Sequence, residues 1–250
     1  MDKNQKETFG EINKNWEDKI NAADDLLVAV GRSKDSATLK VISEDISSKL
    51  DLNSDDYLLE VGSGTGVLLS ELSKKSKLVN GVDYSTEAVK RGKKAFPDIE
   101  MQVAEADNLP FDDNQFDKLL CYGVFHYFVD TKYALSAIDE FLRVCRKGGT
   151  ILIGDLPSKR HFHLSQHYKK SSIFNLPKII LKEIIRIIKR RPKVKKAPII
   201  DVSKWLWFDL IEIRDELRVK GYTVDILECP NIIQWREISH THRFDLRIRK

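Results

Sequence analysis

The pattern of apolar and polar positions along the chain predicts an alternation of short strands and amphipathic helices. Five apolar runs bounded by glycine or polar residues predict buried strands over 57–61, 77–83, 99–104, 116–122 and 150–154. Between them, apolar residues recur every three or four positions and predict helices over 67–73, 85–95 and 131–145. This alternation favours a parallel sheet with helices on both faces.

The two ends of the chain depart from this alternation. Residues 11–53 place apolar side chains such as Trp16, Ile20 and Leu27 at helical spacing. Towards the other end, a predicted helix over 203–220 precedes two strands, 222–228 and 244–249, with no obvious long helix between them. Consecutive strands of this kind imply an antiparallel pair. We therefore expect an α/β fold of three layers, with a seven-stranded, mostly parallel sheet and one antiparallel strand near its edge.

The chain of 250 residues is expected to form one domain in four parts. The parts are an N-terminal helical cap (1–53), a core (54–156), a basic helical insertion (157–202) and a C-terminal helix with a strand pair (203–250). Residues 178–196 hold nine Lys or Arg and one Glu, which gives +8 and leaves −4 for the remainder of a chain with net charge +4. The insertion therefore carries the positive charge.

The basic insertion has four interpretations. It contacts an anionic membrane surface, covers the active site as a lid, presents charge to a phosphorylated substrate, or is a packed helix with solvated lysines. Nucleic acid is not expected, because no aromatic residue interleaves the charges between 178 and 200. Three scattered cysteines, a polar N-terminus and the lack of a long apolar run favour the reducing cytoplasm, with peripheral contact at the inner membrane surface as the alternative.

A glycine-rich turn ends the first predicted strand. Gly62-Ser63-Gly64-Thr65-Gly66 has G-x-G-x-G spacing, unlike the G-x-G-x-x-G of NAD-binding turns, and no Lys-Ser/Thr follows it. Asp83 closes the second strand nineteen residues after Gly64, where an acid can accept hydrogen bonds from both hydroxyls of a ribose. Ser85 is the expected N-cap of the next helix, which leaves Asp83 available for the ribose.

Three motifs in this order resemble the class I S-adenosylmethionine-dependent methyltransferases, the Rossmann-like family that includes ubiquinone and menaquinone methylases. They are EVGSGTG, VDYS, and AEADNLPFDDNQFDKLLCYGVFHYF followed by RVCRKGGTILIGD, and they span about residues 57–155. The resemblance implies S-adenosylmethionine as the cofactor. It also implies a cofactor site that begins with Glu60 and the glycine turn, Gly62, Ser63, Gly64 and Gly66. In this implied site, Asp83 binds the ribose, and Tyr84 packs on the adenine face. By the same resemblance, Glu105 and the Ala106 N–H bind adenine, and Cys121 lies at the methionine end. Asp107 is a rival of Glu105 for the adenine contact, since the family usually has Gly-Asp-Ala where this chain has Ala104-Glu105-Ala106.

Methyl transfer requires alignment of the nucleophile and, for some acceptors, a base. His126 and Tyr127, just beyond the fourth strand, are the candidate catalytic residues, with Asp155 a lesser one. A purely packed His126 is the alternative. No metal site is expected, although His161, His163 and His167 could also approach the site. In the N-terminal segment, Phe9 and Trp16 are candidates to cover the cofactor.

The expected function is methyl transfer to a small-molecule, saccharide-linked or lipid-linked acceptor, with oxygen the favoured methylated atom. The alternatives within the enzyme class are a quinone-type C-methylase and a small-molecule N-methylase. The alternative of another class is a non-catalytic, methyltransferase-like binding protein.

Overall fold

The strands lie in one mixed sheet. The computed structural model describes residues 3–31, 36–159, 205–230 and 243–250. In these ranges the strands are β1 (Tyr57–Val61), β2 (Leu78–Asp83), β3 (Glu100–Val103), β4 (Phe116–Tyr122), β5 (Cys145–Pro157), β6 (Thr223–Glu228) and β7 (Arg243–Arg249). They form a seven-stranded sheet in the order β3-β2-β1-β4-β5-β7-β6. The pairs among β1 to β5 are parallel, and β7 runs antiparallel to both β5 and β6. The predicted fold, with one reversed strand next to the edge, is confirmed.

Helices cover both faces of this sheet. They are α1 (Lys3–Ala22), α2 (Leu26–Ala29), α3 (Ser36–Leu50), α4 (Val67–Leu72), α5 (Thr86–Ala95), α6 (Thr131–Val144) and α7 (Leu210–Val219), with short 3₁₀ turns at Ser73–Lys75 and Phe125–Tyr127. Successive residues of β4 point to opposite faces, so that Leu119 packs in the cluster with α6 and α7 and Leu120 in the cluster with α3 and α4. The sheet is therefore the middle of three layers.

Two predicted boundaries are wrong. Strand β5 begins at Cys145 rather than at 150, because Cys145 already pairs with Phe116 and the Gly148 N–H donates to the Lys250 carbonyl at 2.7 Å. Helix α7 begins at Leu210 rather than at 203. The Asp209 side chain caps the amino end of the helix. The residues just before Asp209 lie beside the end of β5, where the Phe208 N–H donates to the Pro157 carbonyl at 3.1 Å.

The predicted N-terminal cap is divided among α1, α2 and α3, and the first two lie against the core through specific contacts. The Arg91 guanidinium on α5 donates to the carbonyls of Ile20 and Ala23, at 2.9 Å in the second case. The Thr65 hydroxyl in the glycine turn donates to the Leu26 carbonyl at 3.1 Å. Residues 10–30 are thus placed beside the glycine turn.

Most of the predicted basic insertion, including its charged stretch 178–196 and His161, His163 and His167, lies outside the described residues. The side chain of Phe9 lies outside them as well. Across the ranges that the structure does describe, no helix combines the length and the apolar character needed to cross a bilayer.

Candidate functional site

The glycine turn between β1 and α4 is built for close approach. Gly62 and Gly64 have φ values of 76° and 54°, a backbone conformation that side chains other than glycine rarely adopt. A Cβ at Gly64 would lie 2.5 Å from Cγ1 of Val30, and one at Gly62 would collide with Val124. The turn therefore tolerates only glycine at these two positions. Ser63, between them, is buried, and its N–H donates to the Val82 carbonyl at 3.0 Å.

Asp83 connects this turn to the end of β2. Its Oδ2 accepts from the Gly64 N–H at 2.7 Å and its Oδ1 from the Ser85 N–H at 2.9 Å. Burial raises the pKa of Asp83 to about 6, although both backbone hydrogen bonds act in the opposite direction. Each carboxylate oxygen can accept more than one hydrogen bond, so two acceptor positions remain for ligand hydroxyls. At neutral pH the group is charged.

The residues at this crevice fit an adenosine-type cofactor. The glycine-only turn allows a ligand to approach the backbone, and Asp83 supplies a buried acceptor beside it. Glu60 is buried in β1. Burial is the largest cause of the raised pKa of the Cys121 thiol, and the nearby Glu60 and Asp83 raise this pKa further. Glu60, Asp83 and Cys121 therefore lie near one another. Contact of Cys121 with the methionine end of the cofactor stays a prediction.

The N-terminal helices cover this crevice. Glu17 on α1 accepts from the Ser85 hydroxyl at 2.7 Å, and the Val30 side chain lies over Gly64. Tyr84 is half-buried beside them, and burial, Asp83 and Glu17 together raise the pKa of its phenol. Glu17 and Val30 were not predicted, because helical spacing alone does not show which tertiary neighbours a helix has.

The loop after β3 holds the residues predicted for adenine. Glu105 is exposed. Asp107 instead interacts with the hydroxyl of Tyr133 on α6, which also hydrogen-bonds with the Ala106 backbone. This arrangement favours Glu105 over its rival Asp107 as an adenine acceptor. The predicted adenine contact of the Ala106 N–H requires Tyr133 to move aside.

A group of aromatic and polar side chains lies at the carboxyl ends of β4 and β5. His126, in the 3₁₀ turn after β4, is 3% exposed. Its ring centroid lies 4.1 Å from that of Tyr127 and 4.6 Å from that of Trp205, while Trp16 of α1 meets Tyr127 edge-on at 5.1 Å. The predicted residues His126, Tyr127 and Trp16 are therefore brought together, and Trp205 joins them.

The protonation states of this group follow from burial and charge. Burial, with the nearby Arg243 guanidinium, holds the pKa of His126 well below its ordinary value, so its imidazole is neutral. Burial and Asp155 raise the pKa of Tyr127, which keeps its phenol protonated. Neutral His126 can accept a proton, whereas Tyr127 is a hydrogen-bond donor.

Asp155 and Arg243 complete the group on the side of β5. Asp155 has a φ of 61°, a strained value for a non-glycine residue. Its N–H donates to Asp245 at 3.0 Å, and its carbonyl accepts from Nη1 of Arg243 at 3.0 Å. Arg243 was not predicted as a site residue. The reversed direction of β7 could have indicated it, because the amino end of an antiparallel strand lies at the carboxyl ends of its parallel neighbours.

Metal binding finds no support in the part of the chain that the structure describes, where no three His, Cys, Asp or Glu side chains are grouped as ligands. The three histidines of the insertion lie outside that part.

Comparison of the sequence with known proteins shows which protein family it matches. Residues 59–153 match the family model described as methyltransferase domain. The chain is 27% identical over 175 residues to a demethylmenaquinone methyltransferase of Corynebacterium urealyticum, covering 70% of each. It is also 27% identical over 152 residues to chondramide synthase of Chondromyces crocatus, covering 57% of this chain and 4% of that protein. Two further demethylmenaquinone methyltransferases are covered over 40% and 41% of their length. The chain thus spans less than half of several of the curated relatives that it matches.

Solved structures show the same fold. The phosphoethanolamine N-methyltransferase 1 of Haemonchus contortus, in complex with phosphoethanolamine and S-adenosylhomocysteine, superposes with a TM-score of 0.67 at 13% identity. The alignment covers 97% of this chain and 49% of that one. Residues 59–153 therefore form a methyltransferase domain. For this domain, the family, enzyme class and cofactor that the motifs implied are confirmed. The individual cofactor contacts and the four-part division of the chain stay predictions.

Proposed function

We propose that this chain, a class I S-adenosylmethionine-dependent methyltransferase, methylates an acidic hydroxyl, of phenol or enol type, on a small-molecule acceptor. The observation that carries the proposal is the group formed by buried His126, Asp155 and Arg243 with half-buried Tyr127 at the carboxyl ends of β4 and β5. Ligands of open α/β sheets bind outside the carboxyl ends of the strands. When bound, S-adenosylmethionine supplies an activated methyl group.

The cofactor residues would act through shape and hydrogen bonding. The backbone of the turn from Gly62 to Gly66 gives the close approach, Asp83 accepts from the ribose hydroxyls, and Glu105 accepts from the adenine amino group. Tyr84 packs beside the adenine. Trp16 and Val30, from the N-terminal helices, exclude water from the crevice, which strengthens each electrostatic contact inside it.

The acceptor region adjoins the cofactor region. Val124 packs against Gly62 and lies two residues before His126, so β4 and its following turn connect the two regions. A nucleophile held beside His126 and Tyr127 is therefore near the glycine turn. Holding both partners in one orientation lowers the barrier of a displacement reaction, because the entropy of bringing them together is lost on binding.

The chemistry of His126 restricts the acceptor. Its lowered pKa means that the proton-accepting form is present throughout the physiological range, yet its basicity is weak. A weak base is better matched to the acidic proton of a phenol or an enol than to that of an ordinary alcohol. The Tyr127 phenol, which stays protonated, can donate a hydrogen bond to the acceptor. We therefore propose His126 as the base and Tyr127 as a positioning residue.

Two other acceptors follow from the same site. A phenolate can be methylated on a ring carbon as well as on oxygen, which is the quinone-type alternative, and a neutral amine needs no base, which is the N-methylase alternative.

A lipid- or saccharide-linked acceptor is supported by the basic charge of residues 178–196, which lie outside the described residues. Peripheral contact of this segment with an anionic membrane is part of that proposal.

The test is a turnover screen with phenols, enols, quinols, amines and aliphatic alcohols. Release of S-adenosylhomocysteine is measured, and mass spectrometry with NMR locates the transferred methyl. O-methylated phenols or enols support the proposal. A methyl on carbon or nitrogen selects an alternative, and cofactor binding without turnover on any acceptor selects the non-catalytic binding protein.

A further inference from the structure

Buried polar atoms without partners are concentrated beside the proposed acceptor region. Nε1 of Trp205, Nδ1 of His126, and both Nε and Nη2 of Arg243 are buried, and no hydrogen-bond partner for them exists among the described residues. A buried donor or acceptor without a partner typically destabilises a fold by about 1–3 kcal/mol. Four such atoms in one place call for an explanation.

The four atoms belong to three side chains that meet at Trp205. The guanidinium carbon of Arg243 lies 4.4 Å from the ring centroid of Trp205, and the ring centroid of His126 lies 4.6 Å from that of Trp205. The Leu206 N–H donates to the His126 carbonyl at 3.0 Å, which fixes residue 205 beside the 3₁₀ turn. The backbone thus holds these donors together.

The chemical character of the cluster is that of an anion site. Arginine is permanently charged, and the tryptophan and guanidinium N–H groups can only donate. Nη1 of Arg243 donates to the Asp155 carbonyl, and the buried Asp155 carboxylate forms an ion pair with Nε at 3.7 Å, a separation too long for a hydrogen bond. Nε and Nη2 lie on one edge of the guanidinium, where their parallel N–H groups match two oxygens of an oxyanion.

We propose that the acceptor carries a carboxylate or phosphate group, held in two-point contact by Nε and Nη2 of Arg243 with Nε1 of Trp205 as a further donor. This inference rests on the proposed function, since it identifies the second group of the same acceptor. The anion anchors the acceptor at β7 while the reactive hydroxyl lies at His126 and Tyr127. The site also gives a role to a charged side chain at the start of β7 that is only 8% exposed.

The experiment is a calorimetric titration of the protein, with and without saturating S-adenosylhomocysteine. Benzoate and inorganic phosphate are the anionic probes, and benzamide is the uncharged match of benzoate. The variants are Arg243→Gln, Trp205→Phe and the control Arg249→Gln. Arg249 lies on the same strand, is half-exposed and pairs with Asp225, so its replacement makes the same charge change away from the cluster.

The expected result is that benzoate or phosphate binds the parent protein and the control, while benzamide binds much more weakly. Arg243→Gln should lower anion affinity by about 10- to 100-fold, the loss expected for a charged hydrogen-bond donor, with cofactor affinity unchanged. Benzoate binding alone identifies a carboxylate acceptor, and phosphate binding alone a phosphorylated one.

Two outcomes would overturn the site: no anion binding to the parent, or equal affinities of Arg243→Gln and Arg249→Gln. If melting curves show that Arg243→Gln does not fold, Trp205→Phe decides, because unchanged anion affinity in that variant contradicts the assigned donor. Failure of the proposed function is seen separately. In that case S-adenosylhomocysteine does not bind, or no acceptor is turned over, while the anion titration remains interpretable.

Discussion

Replacing Asp83 by Asn should weaken cofactor binding and remove its dependence on pH. The carboxylate accepts from Gly64 and Ser85 at 2.7 and 2.9 Å and has acceptor capacity left for two ribose hydroxyls. Asn keeps the size but presents one NH₂ group, which cannot accept. Hydrogen bonds to a charged group contribute about 1.5–3 kcal/mol, so the affinity should fall by about 10- to 150-fold.

The pH dependence follows from the burial of Asp83. Burial raises its pKa to about 6 from 3.8, so the free protein is stabilised by protonation of this group, and that stabilisation is lost as the pH rises from 3.8 to about 6. Ribose hydroxyls favour the ionised form. Cofactor affinity in the parent should therefore be constant above about pH 7 and fall below pH 6, by at most about tenfold per pH unit. Asp83→Asn should show no such fall.

The assay is calorimetry with S-adenosylhomocysteine between pH 5 and 8, in buffers of different ionisation enthalpy, so that proton release near pH 6 is measured directly. Asp117→Asn is the matched control. Asp117 is a buried acid that accepts from the Tyr57 N–H at 2.7 Å, at the other end of β1 from the glycine turn. It should lose stability and keep cofactor affinity. Affinity that is independent of pH in the parent would refute this reasoning, and so would an unchanged affinity in Asp83→Asn.

Three other changes test the remaining assignments. Glu105→Ala should weaken cofactor binding more than Asp107→Ala, measured by the same titration, and the opposite order would shift the adenine contact by two residues. His126→Gln should lower turnover of a phenolic acceptor, with the defect shrinking as the pH passes the acceptor's own pKa; a defect that is constant with pH would assign His126 a positioning role instead. Replacing four basic residues of the insertion by Gln should sharply reduce binding to anionic vesicles, since each contributes about 1 kcal/mol, and leave cofactor affinity intact. Equal vesicle binding by this variant and the parent would remove the reason for a membrane contact. The four residues are Lys182, Arg186, Lys189 and Arg190.

Local sequence features predicted the glycine turn and the acid at the ends of β1 and β2, while their contacts with the cofactor stay predictions. Gly62, Gly64 and Asp83 follow directly from two strand ends, where the apolar run, the glycines and the acid are close in sequence. Ser85 was correctly predicted as the N-cap, since the Ala88 N–H donates to its hydroxyl at 3.1 Å. Such features depend on a few neighbouring residues and are therefore visible without tertiary information.

The covering of the glycine turn could not be predicted in the same way. Val30 lies over Gly64, and Glu17 accepts from Ser85, across separations of 34 and 68 residues. Periodicity shows that residues 11–30 form helices with an apolar stripe, but helix packing, rather than the stripe itself, decides which surface it covers. The predicted start of α7 was wrong for a related reason, because pairing of Phe208 with Pro157 keeps residues before Asp209 extended.

The acceptor side of the site required the sheet order. Arg243, Trp205 and His126 belong to three separate segments, and none of them lies in a motif shared with the others. Sequence reasoning predicted that one strand runs in reverse, but it did not predict that β7 is inserted between β5 and β6. That insertion pairs Pro157 with Arg243 and so places the guanidinium at the carboxyl end of β5. Since the cofactor motifs end near residue 155, the proposed anion contacts of Trp205 and Arg243 come from residues outside them.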